Sequence, residues 1–542
     1  MAPSFLTSAP FEKIPLISSL SPALQHLILF VIELSIVYQA YAWIYNLYFH
    51  PLSHVPGPKL WAMSRVPQES SMVRGRLHKD IRALHEKYGD VVRVAPKALS
   101  FISPQAWTDI MVRVPGHNVP QRDMLRFTDS LKVNGAAELL TANDTVHSRQ
   151  RRMLAHAFSE KALNKDYQPT VQSLIGLLIS QLRTRTQDKE VKGKVDLANW
   201  LNLTTFDVLG DLAFGETFGC LETGDYIPWL KIIFESVWAV TILGSIRQFP
   251  WIDWVFQIFV NNTIMRVTRE HHKLTIEKVS RRLAKKTDRG DFLAQILKHN
   301  GSEKEMSRDE MMSNATMLIA AGSETTAAGT TSCVYQLLKH PGVYRKVVEE
   351  IQGMFAKESD ITFESVEKLD YLNACVDESL RLYPPIPIFN PRVGAPEGTM
   401  VLGIPCKDDI SLGLHHWSVY HCSRNFNNPD VFDPSRWLGN PVYETDRRGS
   451  LHPFGIGSRV CIGKHLALAQ VRVMISRLLF NFDIELLPES DEWINQRAFW
   501  TWERLPMWVQ LKERKGLQKS MRSGHFQPFY RLRDPASRPF KK

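Results

Sequence analysis

The stretch HPFGIGSRVCIGKHLALAQVRVMISRLLF, residues 452–480, decides the fold. A glycine-rich loop runs into an amphipathic helix, and Cys461 stands at the junction. Gly455 and Gly457 allow the backbone to bend tightly and approach a flat ligand, while Gly463 keeps the helix start free of a side chain. A sulfur at a helix N-terminus meets unpaired N–H groups and the positive end of the helix dipole, which favour the thiolate. A thiolate in that position calls for an electrophile or a metal. Zinc would need further Cys or His at close spacing, and an iron–sulfur cluster several more cysteines; neither pattern is present. A single thiolate fits haem.

Working outward, the preceding elements are mostly helical by periodicity. The longest helix has legible ends: Ser307 with Glu310 makes a capping box, and Pro341 closes the helix after His340. That span is about 32 residues, or ~48 Å, enough to cross a domain. Its middle breaks the apolar pattern with Gly322-Ser323-Glu324-Thr325-Thr326, a buried acid beside hydroxyls. Upstream, DVVRVAP and ALSFIS (90–103) read as strands, and extended pieces recur after residue 384. The expected architecture is a mainly α body with a small β region, in one large domain over residues 60–511.

Residues 27–49, LILFVIELSIVYQAYAWIYNLYF, are long and apolar enough to cross a bilayer, with aromatic residues at the far end and Glu33 inside as a cost of about 2 to 3 kcal/mol. Lys59, Arg65, Arg74 and Arg76 follow it, so the body is expected on the cytosolic side and residues 1–26 on the lumenal side. HPLSHVPGPK (50–59) reads as a stiff, proline-rich hinge. At the other end, residues 512–542 carry ten Lys or Arg and two Asp or Glu, which is most of the chain's formal +10. The remainder is almost neutral, which argues for a basic tail and against a nucleic-acid-binding face. The six cysteines are scattered without a CxxC pair, as expected of reduced thiols.

Four motifs in order resemble the cytochrome P450 family: FGIGSRVCIG (454–463), Ala321–Thr326, Glu378-Ser379-Leu380-Arg381, and Phe432-Asp433-Pro434-Ser435-Arg436-Trp437. The likeness covers about residues 50–511, and the anchor and hinge resemble those of fungal microsomal members, especially the isotrichodermin C-15 hydroxylase group of secondary metabolism. It implies the haem-thiolate fold, with haem b (iron protoporphyrin IX) on Cys461 as axial metal ligand and Phe454 in its loop. It also implies His147, Arg151, Arg392 and Arg459 as partners of the propionates, with Arg149 and Arg152 solvated or facing an acidic partner. Glu378 and Arg381, three apart on one helix face, are expected to pair, engage Arg436 and brace the loop. Ser435 stands where the family usually has Glu, so one outer contact of that network is expected to be weaker.

Glu324 and Thr325 are then the catalytic pair, relaying protons and hydrogen-bonding dioxygen; the bland alternative for Thr325 is a back-bond within its helix. The chain lacks a dinucleotide fingerprint, which implies electrons from NADPH through a separate NADPH-cytochrome P450 reductase, with cytochrome b5 as a second donor. The resemblance implies a single-pass endoplasmic reticulum enzyme that hydroxylates or epoxidises an apolar terpenoid, polyketide or alkaloid. Phe127, Leu131, Trp238, Ile388, Phe389, Phe499 and Trp500 are the expected pocket walls. A haem-binding sensor and a peroxide isomerase or dehydratase of the same fold are the alternatives. His415, His416 and His421 are read as structural or surface residues.

Overall fold

The computed structural model describes residues 21–116, 118–123, 132–227, 239–256, 273, 276–284, 290–298, 305–388 and 391–514. Six helices position the site: α1 (Pro22–Ile44), α2 (Asp144–Ala155), α3 (Leu197–Phe214), α4 (Arg308–Lys339), α5 (Asp370–Leu382) and α6 (Lys464–Asn481). The long helix α4 spans 32 residues. Its capping box is formed, with Glu310 N–H donating to Ser307 Oγ at 3.1 Å and Ser307 N–H to Glu310 at 2.9 Å. Pro341 begins the next helix, as the sequence predicts.

α4 is buried along most of its length although it carries many hydroxyls. Local bonds explain how: Thr316, Ser323, Thr330 and Thr331 each donate to the carbonyl four residues earlier, at 2.6 to 3.0 Å. No polar side chain among these four is left in the core without a partner. α3 packs along α4 and is itself buried without interruption from Trp200 to Phe214. Gly322 permits the close approach, since a Cβ there would come within 2.8 Å of Leu209 Cδ1. α5 and α6 complete the packing around α4.

The β region is small and stitched from distant segments. One five-stranded sheet takes the order Val91–Ala95, Ala98–Phe101, Ser411–Gly413, Arg392–Val393, Gln121–Arg122. Its last pairing sets Arg122 directly opposite Arg392 in antiparallel register. A second sheet joins Lys194–Asp196, Trp508–Glu513 and Phe482–Leu486. Lys512 and Glu513, placed by the sequence in the basic tail, are the last ladder residues of that sheet, opposite Asp483 and Phe482. The body therefore extends past residue 511.

At the N-terminal end, one apolar helical stretch runs Pro22–Phe49, none of it buried, and is long and apolar enough to cross a membrane. It starts earlier than residue 27 because Pro22, pre-set at a helical φ, occupies the first helical position. The proline-rich segment behind it is docked rather than free-standing. Leu52 and Val55 are buried, Arg93 N–H donates to Pro56 O at 2.8 Å, and a Cβ on Gly57 would meet Arg93 O at 2.4 Å.

Candidate haem-thiolate site

The loop before α6 folds back on itself: Cys461 N–H donates to Phe454 O at 2.8 Å, and Gly455 and Gly457 take positive φ of 70° and 76°. A Cβ on Gly457 would lie 1.9 Å from Met111 O, so only glycine fits there. Cys461 is the exposed cysteine; Cys220, Cys333, Cys375, Cys406 and Cys422 are buried. Its sulfur is accessible yet closely surrounded by protein. That enclosure raises the thiol above its ordinary range, against the Gly463 N–H and the charges of Arg151 and Lys464, which pull it down.

Beside this loop lies a group of basic side chains that outnumbers the acids near it, Asp144 at Arg459 and Glu138 acting on Arg122. Arg459 Nη2 donates to Ala142 O at 2.9 Å and to Asp144 at 2.6 Å, but its Nε and Nη1 are buried without a partner. Arg151 Nη1 donates to Val460 O at 2.7 Å. Burial and the charge of Arg459 lower Arg392 to about 10, and burial with Arg392 and Arg459 lowers Arg122 to about 9. The same causes, burial first and then Arg459 and Arg151, hold His147 at about 4.

Buried cations that repel one another, with two guanidinium nitrogens unbonded, fit a ligand that brings carboxylates. The two propionates of a haem answer that requirement, and an accessible cysteine sulfur lies beside them. Arg122 belongs to this group and was missed in the sequence, where nothing near it signals its role.

Below the loop a second set of charges is closed on itself. Arg381 donates to Glu378 at 2.9 and 2.8 Å through Nε and Nη2, and to the carbonyls of Tyr420, Pro429 and Val431. Arg436 Nε bonds both Glu378 oxygens at 3.2 Å, and Trp437 Nε1 adds a donor at 3.0 Å. Arg381, Arg436 and Glu378 are fully buried. Asp446 supplies a second carboxylate to Arg436.

Within the buried stretch of α4 the accessible or half-buried residues are Ala320, Ala321, Gly322, Thr325 and Ala328, small side chains on one face. Thr325 Oγ1 donates to Ala321 O at 2.7 Å, so its proton is held by the helix and its lone pairs are the groups it can offer a ligand. Glu324 is turned off that face and is bonded elsewhere. Its Oε1 accepts from Thr501 Oγ1 at 2.7 Å and from Arg504 Nε at 2.8 Å.

The chain matches the family model for cytochrome P450 over residues 55–506. It is a cytochrome P450. The cytochrome P450 monooxygenase astA of Talaromyces wortmannii is 39% identical over 90% of this chain and 97% of its own length. The averantin hydroxylase of Dothistroma septosporum is 38% identical, covering 88% of this chain and 89% of its own. The cytochrome P450 monooxygenase astJ of Aspergillus oryzae is 37% identical over 88% and 95%. This P450 is accordingly an oxidoreductase of the monooxygenase kind, similar to enzymes of fungal secondary metabolism, and its family implies haem-thiolate chemistry, a small-molecule substrate and a redox partner.

Of the expected pocket walls in this P450, Ile388 and Trp500 line a small cavity of about 30 Å³ with Met72, Leu77, Val94 and Leu99. Phe499 is buried, whereas Phe127, Leu131, Trp238 and Phe389 lie outside the described residues. His416 is stacked between Trp107 and Tyr420, and His421 lies 3.8 Å from the Trp417 ring. All three histidines are core residues, and no metal-binding group of three occurs among the described residues. Arg149 bonds Glu310 within the chain, the same glutamate that caps α4.

Proposed function

We propose that this cytochrome P450 inserts one oxygen atom from dioxygen into an apolar small molecule of fungal secondary metabolism, by hydroxylation or epoxidation. Electrons come from NADPH through a separate reductase. The observation that carries the reading is the polar break in α4, which sets Thr325 on the accessible face with Glu324 next to it. A sensor or a peroxide isomerase has no need of that pair. A terpenoid, polyketide or alkaloid is the substrate class in this reading, in keeping with relatives such as the averantin hydroxylase.

In this reading haem b, when bound, supplies a thiolate-ligated iron whose electron-rich sulfur favours O–O cleavage. Cys461 would hold the iron, and Phe454 belongs to the loop that carries it. Arg151, Arg392, Arg459 and Arg122 would take the propionates, with His147 beside them. Glu378, Arg381 and Arg436 hold the loop from behind. Thr325 accepts a hydrogen bond from water with its lone pairs and so orients the last link of a proton path. Glu324 carries protons along it.

The apolar helix Pro22–Phe49 anchors the enzyme in the endoplasmic reticulum membrane with its body in the cytosol. Trp251, Trp254 and Val255, exposed at helical spacing, lie near the start of the body, since Gln248 bonds Arg65 just after the exposed Leu60. Together they form a second membrane contact. Deleting residues 1–50 should weaken membrane attachment without abolishing it.

Expressing the enzyme with a reductase under ¹⁸O₂ tests the proposal. Metabolite profiling should show a new product carrying one labelled oxygen, formed only when both proteins are present. A product formed without label or without a reductase would overturn it.

A further inference from the structure

Glu324 and Thr325 are neighbours in sequence but face different partners. The carboxylate of Glu324 is held by the turn at residues 497–505, through Thr501 Oγ1 at 2.7 Å and Arg504 Nε at 2.8 Å. Both bonds fall on Oε1, which leaves Oε2 to take up and pass on a proton. Arg504 is 24% exposed and Glu324 10%, so the pair spans the distance from solvent contact to the interior. One residue further along α4, Thr325 reaches the accessible face.

The turn that supplies both donors is firmly held. Ala498 N–H donates to Gly75 O at 2.9 Å, Phe499 N–H to Thr501 O at 2.9 Å, and Glu503 N–H to Arg497 O at 3.0 Å. Trp502 Nε1 donates to Pro384 O at 2.8 Å. Arg504 itself takes a φ of +64°, a conformation costly for a non-glycine residue and kept only where the surroundings impose it. Between these anchors Trp500 lines a small cavity with Met72 and Ile388. The same short turn presents Trp500 to that cavity and Thr501 and Arg504 to Glu324.

We propose that Thr501 and Arg504 are positioning residues for proton delivery: they hold the Glu324 carboxylate in place at the outer end of the proton path. The proposal rests on Glu324 being a proton carrier. Glu324 accepts a proton from water on the Arg504 side and releases one to water on the Thr325 side, so its charge is unchanged after each cycle. Without the guanidinium, the Glu324 carboxylate has one hydroxyl left to hold it in place.

The test uses the full-length holoenzyme in membranes with its reductase and NADPH, without added substrate, in H₂O and in D₂O. NADPH oxidation in Arg504→Ala should fall by roughly tenfold, a fraction of the 10²- to 10⁴-fold associated with positioned proton transfer, and its solvent isotope effect should rise. Thr501→Val, which removes one hydroxyl and no charge, should show the same change to a smaller degree, and Arg504→Lys should recover part of the rate. In a Glu324→Ala background neither change should add anything. Variants that slow turnover equally in that background would overturn the proposal, because they would be acting through the fold. If Glu324→Ala slows proton-dependent turnover while Arg504→Ala and Thr501→Val do not, the positioning role falls and the carrier role stands. If Glu324→Ala itself changes nothing, the carrier role falls and the positioning role with it.

Discussion

Two groups of buried arginines are built on opposite plans. Arg381 and Arg436 are matched by Glu378 and Asp446 and by a ring of carbonyls, so their charges are neutralised inside the protein. Arg459, Arg392, Arg151 and Arg122 depress or crowd one another, with Asp144, itself 66% exposed, bonded to Arg459 and the buried Glu138 acting on Arg122. Both groups require desolvating cations, which costs several kcal/mol per ion unless something opposite is near. The closed group finds its counter-charges in the chain and is structural. The open group keeps unbonded nitrogens for a ligand, and that imbalance distinguishes a binding site from a brace.

The largest effect should come from breaking the closed group. Arg381→Ala leaves Glu378 facing fewer cations in a fully buried place and should cost about 3 to 5 kcal/mol, enough to lose folded, haem-containing protein. Thermal denaturation and the haem-to-protein ratio measure it. Normal stability and full haem content in this variant would erase the distinction between the groups.

Arg459→Gln, from the open group, should behave in the opposite way. It removes a repelling charge and an ion pair to an exposed aspartate, so haem-free protein should stay within about 1 kcal/mol of the parent. Haem should dissociate about tenfold to a hundredfold faster, the loss expected for one charge-assisted hydrogen bond. Haem transfer to an acceptor protein gives that rate.

The smallest effect is a change of slope. His147 is held at about 4 in the fold against an ordinary value of 6.5. Between those values the unfolded chain binds the proton and the folded one does not, so stability rises with pH across this window and is lost on acidification. His147→Gln should flatten the pH dependence of haem-free stability between about pH 4 and 6.5 by at most about 1.4 kcal/mol per pH unit. An unchanged slope would place His147 outside the open group.

How much of this was legible in the sequence depends on how far apart the partners lie. The Cys461 loop, the Ser307 capping box and the Glu378–Arg381 pair are local, with glycine positions and i, i+3 spacing that follow from backbone geometry. Arg122 became part of the site only through its register against Arg392, a pairing across 270 residues that no local pattern encodes. Asp446 reaches Arg436 across a run of short helical turns, which hid this second carboxylate. Thr501 and Arg504 approach Glu324 from the far end of the chain. The docked hinge was unreadable for a related reason: its prolines specify an extended chain, but what it rests on is the first strand.

The most direct measurement of the central claim is the absorption spectrum of reduced, carbon monoxide-treated enzyme and of its Cys461→Ser variant. The parent should show the red-shifted band of a thiolate-bound haem, and the variant should lose it because the accessible sulfur at the start of α6 is gone. An identical band in Cys461→Ser would contradict the account, since the five remaining cysteines are buried away from the loop.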